Sequence, residues 1–179
     1  KIMEENVQTQ LPTTRAVGIR YGLILSAISI AFFLIVVLSG LDMNGPLKWV
    51  SYAISLVVVF LAHKNFKDTG DGFMSYGQGI GIAFWMSLFS SVISSVFTYF
   101  YIKFIDSGFI DKIKEMQMEE MEKKGMSDAQ MEQAMKFAAM FTTPEAILIF
   151  GIVFGIIGLI IGAIVISIFT QKKNPEPAI

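Results

Sequence analysis

The chain has 179 residues, of which 54% are hydrophobic and 16% charged, an apolar balance far from that of an ordinary soluble domain. A formal net charge of −1 leaves no basic surface to hold a nucleic-acid backbone, so nucleic-acid binding is excluded at the outset. Cysteine is absent, which rules out disulfides, thiolate metal sites, a cysteine nucleophile and lipid attachment through sulfur. The size predicts one membrane domain over residues 1–179.

Four apolar segments follow in chain order, to be judged against the roughly 20 residues that cross a bilayer core of about 30 Å. Segment one runs from about 18 to 39 and is free of charge except for Arg20 at its start. It outruns the roughly 7 to 15 residues of a signal-peptide core, so Ser39 and Gly40 are not read as a cleavage point. The turn Leu41-Asp42-Met43-Asn44-Gly45-Pro46 should join it to segment two as an antiparallel hairpin. Segment two, about 47 to 62, is short, and spans if Lys48, Trp49 and His63 sit at the headgroups.

Segment three, about 79 to 102, is announced by Ser75 and Gln78 in capping-box spacing, after the flexible Asp68-Thr69-Gly70-Asp71-Gly72. Residues 106–142 are polar and predict an extramembrane helical hairpin. Its first helix should carry the pairs Glu119/Lys123 and Glu120/Lys124 and end at Gly125, and Ser127 should cap the second. Thr143, Pro144 and Glu145 then mark the start of segment four, about 146 to 169. The expected fold class is therefore an all-α membrane protein, a four-transmembrane-helix bundle with a helical hairpin between its third and fourth spans.

Lysine and arginine near short loops favour the cytoplasm. Placing both termini inside sets Arg15, Arg20, Lys64, Lys67, Lys172 and Lys173 there, against Lys48, Lys103, Lys112, Lys114 and Lys136 outside. The two arginines ahead of the first span decide a near-even count for cytoplasmic termini.

Within the spans, Gly151, Gly155, Gly158 and Gly162 share one face of segment four, as a neighbouring backbone would need for close approach. The face reads first as a seam inside the bundle and second as a contact with another copy of the chain. Gly18, Gly22 and Ser26 form a shorter analogue in segment one and make that segment the expected partner. Segment three carries Ser87, Ser91, Ser94 and Thr98 on one face, with Ser90 and Ser95 nearby. Such hydroxyls usually bond back to helix carbonyls or across to a neighbour, and the alternative is a polar path for a solute. No ionisable residue lies in the middle of any segment, which argues against a proton-coupled pump.

His63 is the only histidine, and its place at the end of segment two reads as interfacial. With no second histidine and no cysteine it cannot assemble an ordinary zinc site, so no metal or other cofactor is expected. Seven of the eleven methionines fall in the hairpin region. Thioethers can take Cu(I), but an adaptable contact surface is the reading preferred. Met131, Ala134, Met135 and Ala138 recur at helical spacing as a modest apolar face that needs a partner: the first hairpin helix, the membrane surface or another protein. No phosphate-cradling loop, H-E-x-x-H or G-x-S-x-G is present, so no enzyme activity is expected.

Three runs of residues resemble a known family. Ser75-Tyr76-Gly77-Gln78-Gly79 opens the serine-rich span, Thr98-Tyr99-Phe100-Tyr101 leads on through Ile105-Asp106, and Gly125-Met126-Ser127 joins the hairpin helices. Together they look like the small four-span bacterial membrane family catalogued as domain of unknown function forty-one ninety-nine. That resemblance covers nearly the whole chain and implies a bacterial cytoplasmic membrane, since such proteins occur mainly in the Bacteroidetes. It transfers no activity and no functional residue. The functional expectation is accordingly an accessory or scaffold protein that offers its external hairpin to a partner, with a small oligomeric channel or transporter as the alternative.

Overall fold

The computed structural model of the protein describes residues 11–41 and 46–174. Six α-helices follow in order: α1 Thr14–Leu38, α2 Leu47–Thr69, α3 Tyr76–Phe100, α4 Phe109–Lys123, α5 Asp128–Ala139 and α6 Pro144–Thr170. A π-helical turn, Tyr101–Ile105, prolongs α3. Four of these elements, α1, α2, α3 with its π turn, and α6, are long and apolar enough to cross a membrane. The protein is an all-α, multi-pass membrane protein.

Local chemistry sets the boundaries. The Thr13 hydroxyl accepts the Ala16 amide at the start of α1, and Thr143 does the same for Ala146 at the start of α6. Ser75 and Gln78 close the capping box of α3, with Gln78 Oε1 accepting the Ser75 amide at 2.7 Å. Ser127 and Gln130 close another at α5, and Gly125, at φ +71°, makes the reversal between α4 and α5. The turn expected at Leu41–Pro46 lies mostly outside the described residues, since 42–45 are not among them.

One boundary departs from expectation. Segment two was read as ending near Ala62, yet α2 continues through the polar residues His63 to Thr69. Polarity there does not end the helix, although Lys64, Asp68 and Thr69 are exposed. His63 and Lys67 turn inward and bond to α3 and α6, so the extra two turns are held by the protein itself.

α3 is the axis of the bundle, with α1 and α6 packed along it. Gly18 lies against Ile82 and Trp85, Gly22 against Met86 and Phe89, and Phe33 against Phe97 and Tyr101, so α1 and α3 run parallel. Gly151 meets Ser95, Gly155 meets Ser91, and Ser167 meets Gly79, so α6 runs antiparallel to α3. The expected pairing of the two glycine-bearing segments with each other is thus replaced by a shared partner, α3. Glycines do form close approaches, but each set spends them on the serine-bearing helix between.

Two apolar cores result. The larger gathers Val17, Leu25, Val58, Val59, Ala62, Ile82, Ala83, Met86 and Ala163 toward the end where α1 starts and α6 finishes. The smaller, around Tyr101, Ile102 and Phe109, is an edge-to-face aromatic cluster with Phe33 that seats the first turn of α4 on the bundle.

Charged groups pack on aromatic rings toward the two ends of the bundle. The Arg15 guanidinium lies 5.1 Å from the centre of the Trp85 ring at one end. At the other, Lys103 bonds Tyr99 at 2.7 Å and Glu145 at 3.2 Å, joining the π turn to the start of α6. Between Trp85 and Lys103 the helix rises about 27 Å at about 1.5 Å per residue, close to the roughly 30 Å of a hydrocarbon core.

Candidate functional site: a serine-lined cavity and a buried histidine

Halfway along the bundle the helices part around an open, serine-lined recess of about 180 Å³, the serine cavity. Its wall takes Ser29 from α1, Ser55 from α2, and Ser90, Ser91, Ser94 and Ser95 from α3. Gly151 and Gly155 of α6 close the fourth side, with Leu25 and Leu159. Where serine faces glycine, the two neighbouring helices supply only the two heavy side-chain atoms of serine and approach closely. Any larger residue at Gly155 would strike Ser91, and a Cβ at Gly151 would stand 2.6 Å from Ser95 Oγ.

The hydroxyls are not spent alike. Ser90 donates to the Ser87 carbonyl at 3.3 Å and Ser55 to the Ser51 carbonyl at 3.0 Å, the usual helical back-bond. Ser94 Oγ is buried and has no hydrogen-bond partner among the described residues. A void of this size has room for about six waters at roughly 30 Å³ each, and a hydroxyl-rich wall gives them partners. Mid-membrane polar space is unusual, because nothing in the surrounding hydrocarbon can satisfy it.

Ser29 also lines a second, larger space of about 320 Å³ between α1 and α2. Phe32, Phe33, Val36, Leu47 and Tyr52 form much of this crevice, which lies toward the hairpin end of the bundle. Ser29 therefore belongs to the lining of both spaces. In the other direction the larger apolar core closes the bundle.

Beyond that core lies a buried polar network. His63 is 0% exposed, which corrects the interfacial reading of this residue. Its Nε2 lies 3.0 Å from the Gly79 carbonyl oxygen and its Nδ1 2.8 Å from Thr170 Oγ1. A carbonyl can only accept, so Nε2 carries a hydrogen. The Thr170 hydroxyl is also 2.9 Å from the Ile166 carbonyl, and its one proton is divided between that oxygen and Nδ1. Lys67 donates to the Thr170 carbonyl at 2.8 Å, capping the end of α6 with a cation. Met74 and Lys172 exchange two backbone hydrogen bonds just beyond, at 2.9 and 2.8 Å. α2, α3 and α6 are tied together at this end.

The sequence profile of a family described as a protein of unknown function, DUF4199, matches residues 20–172. The chain belongs to that family. No curated protein and no solved structure shows significant similarity to it. The DUF4199 match covers all of the cavity residues and the His63 network.

In this DUF4199 chain the residues expected to form a polar path separate. Ser91 and Ser94 reach the cavity; Ser87 is fully buried below it and bonds to the Phe84 carbonyl at 2.9 Å. Thr98 is half-buried above and does not line the space. Of the glycine face, nothing lies within 4 Å of where a Gly158 Cβ would stand, and Gly162 meets only the flexible end of Leu56 on α2. Ser26 is buried and bonds to the Leu23 carbonyl at 2.8 Å.

The hairpin face Met131, Ala134, Met135 and Ala138 is half-buried, and α4 is the helix that α5 packs against. The more exposed large apolar residues at this end of the hairpin are Phe137 of α5 and Met140 at its C-cap. At the base of the hairpin Lys112 bonds Asp106 at 2.8 Å, which holds the lysine above its ordinary pKa.

Sequence reasoning passed over Ser29 and Ser55 as contributors, and Thr170 and Ser167 as company for His63. Serines in three different spans were the available signal, since a hydroxyl at matching depth in each is what builds a closed polar wall.

Proposed function

We propose that this DUF4199 protein is a carrier for a small neutral polar molecule, which occupies the serine cavity and arrives through the α1–α2 crevice. The observation that carries this reading is a wall of six serine side chains, drawn from three helices and closed by glycines of the fourth. None of the cavity's lining residues is ionisable. A bare ion there would lose its hydration for hydroxyl dipoles alone, whereas an uncharged hydroxyl- or amide-bearing solute loses far less. Release to the other side requires the apolar core and the His63 network to part, so the site acts as a gated carrier rather than as a continuous pore.

The test is solute flux in reconstituted vesicles, followed by light scattering after an osmotic step of glycerol or urea. Swelling faster than in protein-free vesicles, and lost on replacing Ser91 by valine, is the expected result. Identical swelling with and without protein sinks the proposal.

A second reading is favoured by a separate observation. α3 and α6 pack side by side, so a connection of about 2 to 8 residues would join them, yet the chain inserts two helices, α4 and α5. An accessory subunit that offers this hairpin to a protein partner accounts for the extra length. On that reading Met131→Glu and Met135→Glu disrupt physiology while Ser91→Ala and Ser94→Ala do not. Extraction with native copolymer separates the two readings: stoichiometric foreign subunits favour the accessory role, and copies of this chain alone favour the carrier. In either case we place the protein in a bacterial cytoplasmic membrane with both termini in the cytoplasm and without catalytic activity. A cysteine at Gly125 labelled by an impermeant reagent in intact spheroplasts fits that orientation, and protection there reverses it.

A further inference from the structure

The hairpin carries an apolar flank that the proposed carrier activity does not use. Phe137 is 62% exposed and Met140, at the C-cap of α5, 61%, while Glu132 and Lys136 pair at 2.7 Å two turns and one turn before Met140. Phe141 adds to this flank, and its ring packs at a tilt with its centre 5.1 Å from that of Phe137. It also lies 4.9 Å from Phe150, which in turn lies 5.8 Å from Phe154. Four rings thus run without a break from α5 onto the outer surface of α6, where Ile149 and Phe154 are exposed along a membrane span.

The ladder also fixes depth. Phe150 stands six residues into α6 from Pro144, about 9 Å below the helix start at about 1.5 Å per residue. The Phe141 ring that packs on it reaches down alongside the first turns of α6, so the chain just past α5 runs beside the top of that helix. Interfacial helices bury their apolar side by about 5 to 10 Å into the headgroup and acyl boundary. The neighbouring rim agrees: Phe104 and Ile105 on the π turn, one and two residues past the Lys103 that pairs with Glu145, are 70% and 69% exposed.

We propose that Phe137, Met140 and Phe141 anchor the hairpin to the bilayer surface, and that the occupant of this flank is the lipid of the same membrane. A protein partner would need an apolar surface continuous with the lipid-facing side of α6; lipid already is that surface. The hairpin is then held down at its α6 end while its tip at Gly125 projects into water.

The chain lacks cysteine, so single cysteines can carry a fluorescent nitrobenzoxadiazole label without competition. Phe137→Cys, Met140→Cys, Ala139→Cys and Glu122→Cys are reconstituted in phosphatidylethanolamine–phosphatidylglycerol vesicles, with and without lipid bearing a nitroxide near the glycerol end of its acyl chain. Labels at 137 and 140 should be quenched several-fold by the lipid nitroxide and resist aqueous dithionite; labels at 139 and 122 should show the reverse. Dithionite reaching 137 and 140 as fast as 122 overturns the anchor. Labels at 137 and 140 that resist dithionite yet ignore the lipid nitroxide also overturn it, because a protein surface then covers the flank.

The unaltered chain gives a second test, independent of any substitution. A phospholipid with a photoreactive diazirine near its glycerol backbone should leave adducts within residues 137–141 as it does on Ile149 and Phe154. Adducts on α6 with none on α5 overturn the proposal.

Discussion

Replacing Gly18 by alanine tests the α1–α3 contact, with Gly158→Ala as its internal reference. A Cβ at Gly18 would stand 2.6 Å from both the Ile82 carbonyl oxygen and Trp85 Cβ. Ordinary contact begins near 3.5 Å, so the two helices must part by roughly 0.9 Å. Neither obstacle can swing away, since one is backbone and the other the root of a side chain. A gap of this size forfeits a quarter to a half of each atom pair's attraction, and overpacking of this kind costs about 1 to 3 kcal/mol. Both changes carry the same gain in helix propensity, about 1 kcal/mol, which cancels in the comparison. Gly18→Ala should therefore unfold about 2 kcal/mol more easily than Gly158→Ala, a factor of about 30 in the equilibrium. Steric-trapping titration in bicelles reads this difference directly. Equal stabilities would refute the packing argument, because Gly158 has nothing within 4 Å to meet.

Other expectations follow from the polar groups. His63→Leu removes two hydrogen bonds and should cost about 1 to 2 kcal/mol by the same titration, with His63→Gln, which keeps a donor and an acceptor, losing less. Gly79→Ala should loosen the same end, since a Cβ there stands 2.7 Å from Ser167 Oγ and 3.3 Å from His63 Cε1; a faster proteolytic cut after Lys172 or Lys173 is the readout. At the hairpin base, the Lys112 pKa is raised above 10.5 by its bond to Asp106. Its stabilising part is present below the unfolded pKa and is lost as pH climbs through the raised one. A spin label at Ser107 should thus gain mobility only in that alkaline window, and at every pH in Lys112→Met.

Spans and caps were legible in the sequence because the bilayer imposes length and apolarity on each segment, and Ser75, Thr143, Gly125 and Ser127 are local signals that need no tertiary context. His63 was not legible. Its fate depends on Gly79 and Thr170, distant in the chain, and periodicity carries no information about who lies opposite. Gly158 shows the converse, since it shares a helix face with Gly151 and Gly155 yet meets nothing. A face read from one helix says which residues could approach a neighbour, not where the neighbour is. The cavity was half visible for the same reason: the α3 serines stood out as a stripe, but Ser29 and Ser55 become part of a wall only when α1 and α2 are set beside them.

The central place of α3 bears on how the protein is made. Ribosomes deliver α1 first and α6 last, and transmembrane helices associate after they enter the lipid. α1 can settle on α3 through Gly18 and Gly22 as soon as α3 inserts. The serines that face Gly151 and Gly155 must wait, with the whole hairpin still to be synthesised. For that interval the membrane holds a three-helix intermediate with an uncovered row of hydroxyls, which is the state that membrane chaperones and proteases would meet. Arrival of α6 both hides the row and, through Thr170 and Lys172, ties the far end shut.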